Sequence, residues 1–148
     1  MELTRAGTSD AVVITGISKR AFDSDIAVGA SSKGGPPGYR SVSFHMKMAR
    51  ANHLYKLSAD GLIVGGAILF SDRMRLDIGR IFVAPECFRK GYGIFIMQEI
   101  EKIFPDVKEI FLDTPVWNIR TNAFYQKLGY TGYKKNDEFI YYVKKVND

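Results

Sequence analysis

The stretch Phe88-Arg-Lys-Gly-Tyr-Gly-Ile-Phe-Ile-Met97 (FRKGYGIFIM) sets two cations and two glycines directly ahead of an apolar run. Beyond it, Ile96, Met97, Ile100, Ile103 and Phe104 recur at helical spacing, with Gln98, Glu99, Glu101 and Lys102 opposite. That pattern predicts an amphipathic helix that starts at the glycines. Gly91 and Gly93 carry no side chain to block a ligand, and the first helical turn leaves backbone N–H groups unpaired. With the positive end of the helix dipole and the charges of Arg89 and Lys90, they make an anion site suited to a pyrophosphate. Two glycines on their own are explained equally well by a sharp turn after Pro85. A P-loop is excluded because Ile94-Phe95-Ile96 follows the last glycine where Lys-Ser or Lys-Thr belongs, and a dinucleotide fold lacks its third glycine.

Working outward, Arg75–Ala84 reads as the strand that leads into this turn, after Leu54–Leu57 and Leu62–Phe70. The short turns Ala59-Asp60-Gly61 and Ser71-Asp72-Arg73 argue for antiparallel pairing. Beyond the helix, Pro105-Asp106 ends it and Val107–Thr114 forms a fifth strand. Thr121, Phe124, Tyr125 and Leu128 mark a helix closed by Gly129, and Tyr130–Lys134 and Phe139–Val146 form a hairpin. Upstream, Glu2–Arg5 reads as a short edge strand. Ser9 and Asp10 are expected to cap a helix with Val13, Ile14, Ile17 and Ala21 on one face, and Ser41–Ala51 to form a second helix. Between them, Val28–Arg40 contains GASSKGGPPGY, a loop long enough to be a candidate for function. A strand, a helix and a strand around the central helix require a crossover, so the sheet is mixed and the class is α/β.

Composition narrows the function. The 148 residues fit one domain, 1–148, with a core that needs no disulfide or metal to hold it. The single cysteine, Cys87, and the two histidines, His45 and His53, supply no ligand set, so metal catalysis is not expected. The longest apolar run, Leu62–Phe70, is broken by Gly65 and Gly66 and is too short to span a membrane. The N-terminus MELTRAG has no apolar core of the signal-peptide kind, so the cytoplasm is the expected location. The net charge of +5 comes from scattered lysines and arginines without a basic, aromatic-interleaved stretch, which argues against nucleic acid and suits a small polyanion.

Two motifs carry a resemblance. Ile81-Phe-Val-Ala-Pro-Glu86 followed by Phe88-Arg-Lys-Gly-Tyr-Gly93 resembles the pyrophosphate motif of the GNAT superfamily of acyl-CoA-dependent N-acetyltransferases, with Phe88 where that motif has glutamine or arginine. Asn118-Ile-Arg-Thr-Asn-Ala-Phe-Tyr-Gln-Lys-Leu-Gly-Tyr130 is similar to the family's Asn-x-x-Ala-x-x-Phe-Tyr-x-Lys-x-Gly-Phe segment, with Thr121 in place of alanine. The resemblance covers Leu62–Val146 well and the first 60 residues in outline.

It implies a mostly antiparallel central sheet, splayed in the middle and flanked by about four helices. It also implies transfer of an acetyl group from acetyl-CoA, without a metal, to a primary amine by direct attack in a ternary complex. Backbone at Ile81, Phe82 and Val83 is then expected to hold the pantetheine. Phe88, Arg89, Lys90, Gly91, Tyr92 and Gly93 bind the pyrophosphate, and Asn118 bonds the pantetheine arm or caps the helix that follows it. Tyr125 is the expected general acid to the leaving thiolate, against the alternative of a core tyrosine. Asp77 is the first candidate base, on a strand face shared with Gly79, Ile81 and Val83; Asp113, Glu138 or a water chain are alternatives. Tyr39, Arg40, Phe44 and His45 are expected to line the pocket of a small-molecule or peptide amine. A noncatalytic acyl-CoA-binding module is the alternative to the enzyme, and an exposed edge strand leaves room for a homodimer.

Overall fold

The computed structural model describes residues 1–147. In chain order the elements are β1 (Glu2–Arg5), α1 (Ala11–Asp23), α2 (Val42–Arg50), β2 (Leu54–Ala59), β3 (Leu62–Asp72) and β4 (Arg75–Val83). They continue with α3 (Tyr92–Ile103), β5 (Glu109–Pro115), α4 (Ile119–Lys127), β6 (Thr131–Lys135) and β7 (Phe139–Lys145). The strands form one seven-stranded sheet in the order β1-β2-β3-β4-β5-β7-β6. Every neighbouring pair is antiparallel except β4 and β5, which the α3 crossover makes parallel. This is the expected α/β class.

Local sequence explains the elements. Asp60 and Gly61, with φ of 52° and 78°, make the two-residue turn between β2 and β3. Ser41 caps α2, its Oγ accepting the Phe44 N–H at 3.1 Å. Two expectations fail in α1. The Asp10 carboxylate turns back to accept from the Gly7 N–H at 2.9 Å and Lys56 Nζ at 3.0 Å, so it caps nothing in that helix. Val13 is 51% exposed, because the buried stripe runs through Ala11, Ile14, Ile17 and Ala21 and one step of 100° turns Val13 off it.

The sheet divides two cores. On one face β2–β5 and β7 pack against α3 and α4 around Leu57, Leu69, Ile96, Ile100, Ile110 and Tyr142. On the other, α1 and α2 cover only the first half of the sheet, around Ile14, Leu54, Ile68 and Phe82. Strands β2, β3 and β4 serve both, and the register of β4 carries an irregularity: Ile68 faces Arg80 while the next residue, Leu69, faces Ile78, so Gly79 is an extra, unpaired residue. A Cβ on Gly79 would meet the Phe70 ring at 2.8 Å and the Ile68 carbonyl at 3.3 Å, so the bulge is fitted to glycine.

Candidate active site

Parallel pairing of β4 with β5 consists of Arg75↔Glu109, Leu76↔Ile110 and Asp77↔Phe111. From Ile78 to Val83, β4 therefore has a strand on its β3 side alone, and its other backbone edge faces an opening. Unpaired backbone groups of this kind need an alternative partner. Two cavities occupy the opening. The first, of about 740 Å³, is walled by Ile81, Phe82, Val83, the turn residues Phe88, Arg89, Gly91, Tyr92 and Gly93, and by Arg120 and Phe124. The second, of about 440 Å³, lies between the Ala30–Pro37 stretch and the strand ends at Arg80 and Leu112–Pro115. Phe22, Asp25, Ile81, Thr121 and Tyr125 line both.

At the first cavity, Gly91 takes φ of 81°, a left-handed conformation suited to glycine, and starts α3 with no side-chain cap. Its Cβ position has no atom within 4 Å, so the space before the unpaired N–H groups of α3 is open. Phe88 stands where a polar residue was expected, and the Arg120 guanidinium stacks 4.6 Å from its ring centroid. Arg120 Nη2 also donates to Asp25 Oδ1 at 2.9 Å. Burial pushes the Asp25 carboxyl above its usual range, against the pull of Arg120 and Asn118. Arg120 thus brings a cation to the cavity from α4, as Arg89 does from the turn.

Tyr125 sits at the junction, 7% exposed, with its ring against Phe124, Tyr130 and Tyr142 at centroid distances of 5.2, 5.9 and 6.3 Å. Burial, and then the Asp113 carboxylate, push its phenol far above the usual tyrosine value, so it stays protonated at neutral pH. Asp113 opens onto the second cavity. Its carboxyl is raised by the surrounding protein and then by the Asp77 carboxylate. Asn118 is 2% exposed and caps α4, Oδ1 accepting the Thr121 N–H at 3.1 Å, and Thr121 Oγ1 lies 2.6 Å from Thr114 Oγ1, tying α4 to β5.

Of the expected donor-site residues, Ile81, Phe82, Val83, Phe88, Arg89, Gly91, Tyr92, Gly93 and Tyr125 line the first cavity. Asn118 lines the second, and Lys90 lines neither. The expected acceptor residues Tyr39, Arg40, Phe44 and His45 all stand outside both cavities. The Tyr39 hydroxyl donates to Asp23 Oδ1 at 2.8 Å, and Arg40 is exposed. Phe44 lies beneath Arg80, and His45 is fully buried with Nδ1 2.9 Å from both the Ser41 carbonyl and Thr15 Oγ1. The loop they flank does reach the second cavity, but through its small residues, Ala30 to Pro37.

Asp77 is also misplaced by simple alternation. Leu76 and Ile78 belong to the α3/α4 core, with Ile81 and Val83 packed against it, while Phe82 and Ala84 belong to the α1/α2 core. The Gly79 bulge shifts the pleat by one residue, so Asp77 shares a face with Arg80 and Phe82 rather than with Ile81 and Val83. It lines neither cavity and pairs with Arg75 at 2.9 Å.

A family model for acetyltransferases of the GNAT family matches residues 25–130. The chain belongs to the GNAT family. As a GNAT acetyltransferase it is an acetyl-CoA-dependent N-acetyltransferase. Among solved structures it is similar to the PaiA N-acetyltransferase from Thermoplasma acidophilum in complex with coenzyme A, with TM-score 0.83 and 18% identity over 97% of this chain and 98% of that one. It is also similar to the ribosomal-protein-S18-alanine N-acetyltransferase from Escherichia coli, with TM-score 0.74 and 16% identity over 99% and 94% of the two chains. A GNAT acetyltransferase from Elizabethkingia anophelis with acetyl-CoA bound matches at TM-score 0.57 and 17% identity, over 63% of this chain and 75% of that one. No curated protein matches. At these identities the structural likeness is one of fold.

The GNAT donor fits what the first cavity offers. The open space before the uncapped start of α3 suits a pyrophosphate, and the free backbone edge of Ile78–Val83 suits the amides of a pantetheine. Sequence reasoning missed Asp25, Arg80 and Arg120. Arg120 lay inside the second GNAT motif at a position that motif leaves variable, and Asp25 and Arg80 carried no local signal.

Proposed function

We propose that the protein moves the acetyl group of acetyl-CoA directly to the nitrogen of a primary amine, with donor and acceptor bound together. The observation that carries this reading is the junction: Ile81, Thr121 and Tyr125 line both the donor cavity and the neighbouring one. A thioester laid along β4 then meets an amine held in the second cavity without a covalent enzyme intermediate.

Asp113, facing the second cavity beside Tyr125, takes the proton of the incoming ammonium directly or through water, and Asp77 raises its basicity. The neutral nitrogen attacks the carbonyl carbon, and a β4 backbone N–H facing the opening steadies the oxyanion. As the C–N bond forms and the C–S bond breaks, the sulfur takes a proton from Tyr125. The nitrogen's second proton returns to the phenol through water, which balances the step. The location we assign is the cytoplasm, and among the described residues no helix is long and apolar enough to cross a membrane.

The test is thiol release from acetyl-CoA across a panel of primary amines, for the wild type and Tyr125→Phe. Turnover in the wild type, with kcat reduced about 100-fold in the variant and acetyl-CoA affinity preserved, is expected. Tight acetyl-CoA binding with no turnover on any amine would instead mark a noncatalytic acyl-CoA-binding module.

A further inference from the structure

Among the described residues, Arg80 is an arginine without a counter-charge. Set on the α1/α2 face of β4 by the Gly79 bulge, its guanidinium lies 4.6 Å from the centroid of the Phe44 ring and donates through Nη2 to the Pro37 carbonyl. Nη1 is buried and has no hydrogen-bond partner. Among the described residues no carboxylate stands in ion-pair range of it. A buried, half-satisfied guanidinium is costly, and the cost falls when a ligand supplies the missing anion. Burial alone lowers its pKa, in keeping with the lack of a neighbouring carboxylate, and the group stays charged at any ordinary pH.

The same 440 Å³ cavity exposes two carboxylates, and they differ. Asp25 is already paired with Arg120 at 2.9 Å, whereas Asp113 has no such partner and lies near enough to Tyr125 to perturb its phenol. The cavity therefore presents one uncommitted anion beside the reaction centre, and its β4 wall carries Arg80, whose unpartnered Nη1 is buried. Ile78, Leu112, Trp117 and Phe139 supply an apolar lining around them.

Resting on the transferase reading, we propose that the acceptor is a small aminocarboxylate, its amine at Asp113 and its carboxylate on the Arg80 guanidinium, which turns Nη1 out of its buried position to meet it. The volume suits a molecule of amino-acid size. A polyamine, with a second cation directed at Arg80, is disfavoured by the same geometry.

The experiment compares matched acceptors on the full chain: leucine, phenylalanine and β-alanine, each beside its carboxamide, with rates read by thiol release. For the wild type, kcat/KM should favour the acid over the amide by about 10-fold or more, as a charge-assisted bond to a carboxylate warrants. Arg80→Gln keeps a donor for the Pro37 carbonyl. It should reduce that preference to near unity mainly through KM, while affinity for acetyl-CoA holds. Equal rates for acid and amide in the wild type, or a preference that survives Arg80→Gln, would overturn the proposal and leave the transferase reading intact. Calorimetric binding of N-acetylleucine to the coenzyme A complex separates the two ideas. Binding lost in Arg80→Gln upholds the carboxylate site even if no amine turns over, and absence of binding to the wild type together with indifferent rates overturns it.

Discussion

The two cavities are built in opposite ways. The first cavity takes half of its lining from one continuous piece of chain, the end of β4 and the turn into α3, where a free strand edge and an uncapped helix start offer backbone groups. The acceptor cavity is assembled from the Ala30–Pro37 loop, β4, the end of β5 and the segment before α4, and offers side chains. A site made of contiguous backbone leaves a compact signature, since glycine is needed wherever a ligand approaches the main chain. A site assembled across the fold leaves none.

The largest effect expected from breaking this contrast is at Gly91. Gly91→Glu places bulk and negative charge in the open space before α3, at about 1 kcal/mol of backbone strain. Acetyl-CoA affinity by calorimetry should fall at least about 100-fold in a folded protein, since the variant substitutes repulsion for anion binding. Retained affinity would show that the turn has no part in holding the donor.

Asp113→Asn probes the other cavity. In the proposed role the base works as a carboxylate, so activity should rise with pH through its raised pKa, giving an acid limb above the usual aspartate range. Asparagine should lower kcat about 10-fold or more and abolish that limb. Asp77→Asn sharpens the same point: removing a like charge lowers the pKa of Asp113, so the limb should move toward acid with donor affinity unchanged. A limb that ignores both substitutions would assign the proton to another group.

Most of the fold was legible, and so was the turn that walls the first cavity. The α3 stripe and the glycines ahead of it stated their roles locally, and the hairpins announced themselves through turn residues such as Asp60-Gly61. The acceptor side was not legible, for reasons visible in particular residues. His45 looked like a pocket residue, yet lies under α1 with Thr15 and Phe82, because α2 turns that face to the sheet. Asp77 appeared to face the cleft by counting residues in twos, and the count fails at Gly79. Arg120 is separated from its partner Asp25 by most of the chain, which no local pattern reveals.

Smaller effects follow in stability. Gly79→Ala drives a methyl against Phe70 and the Ile68 carbonyl and should cost about 1–3 kcal/mol in chemical denaturation. His45 gives the smallest. Its Nδ1–H is directed at Ser41, because a carbonyl only accepts, and burial holds its pKa below the usual histidine value, with Arg80 opposing the charge further. The unfolded chain therefore binds the proton first. Stability should be constant above about pH 6.5 and decline as pH falls from there toward the depressed folded value. His45→Gln should flatten that decline, which titration of Tm against pH would detect.

The extra residue at Gly79 has a meaning for how this protein can change over generations. Downstream of it, the odd-numbered positions Ile81 and Val83 pack toward the α3/α4 core and the even-numbered Arg80 and Phe82 toward the α1/α2 face, so the two cores can vary separately. Loss of that one codon would exchange the two sets at once, turning Arg80 toward the α3/α4 core and Ile81 toward α1 and α2. Substitution at Arg80 therefore leaves the α3/α4 core as it is, whereas a single-residue deletion in this strand would place a charge in that core.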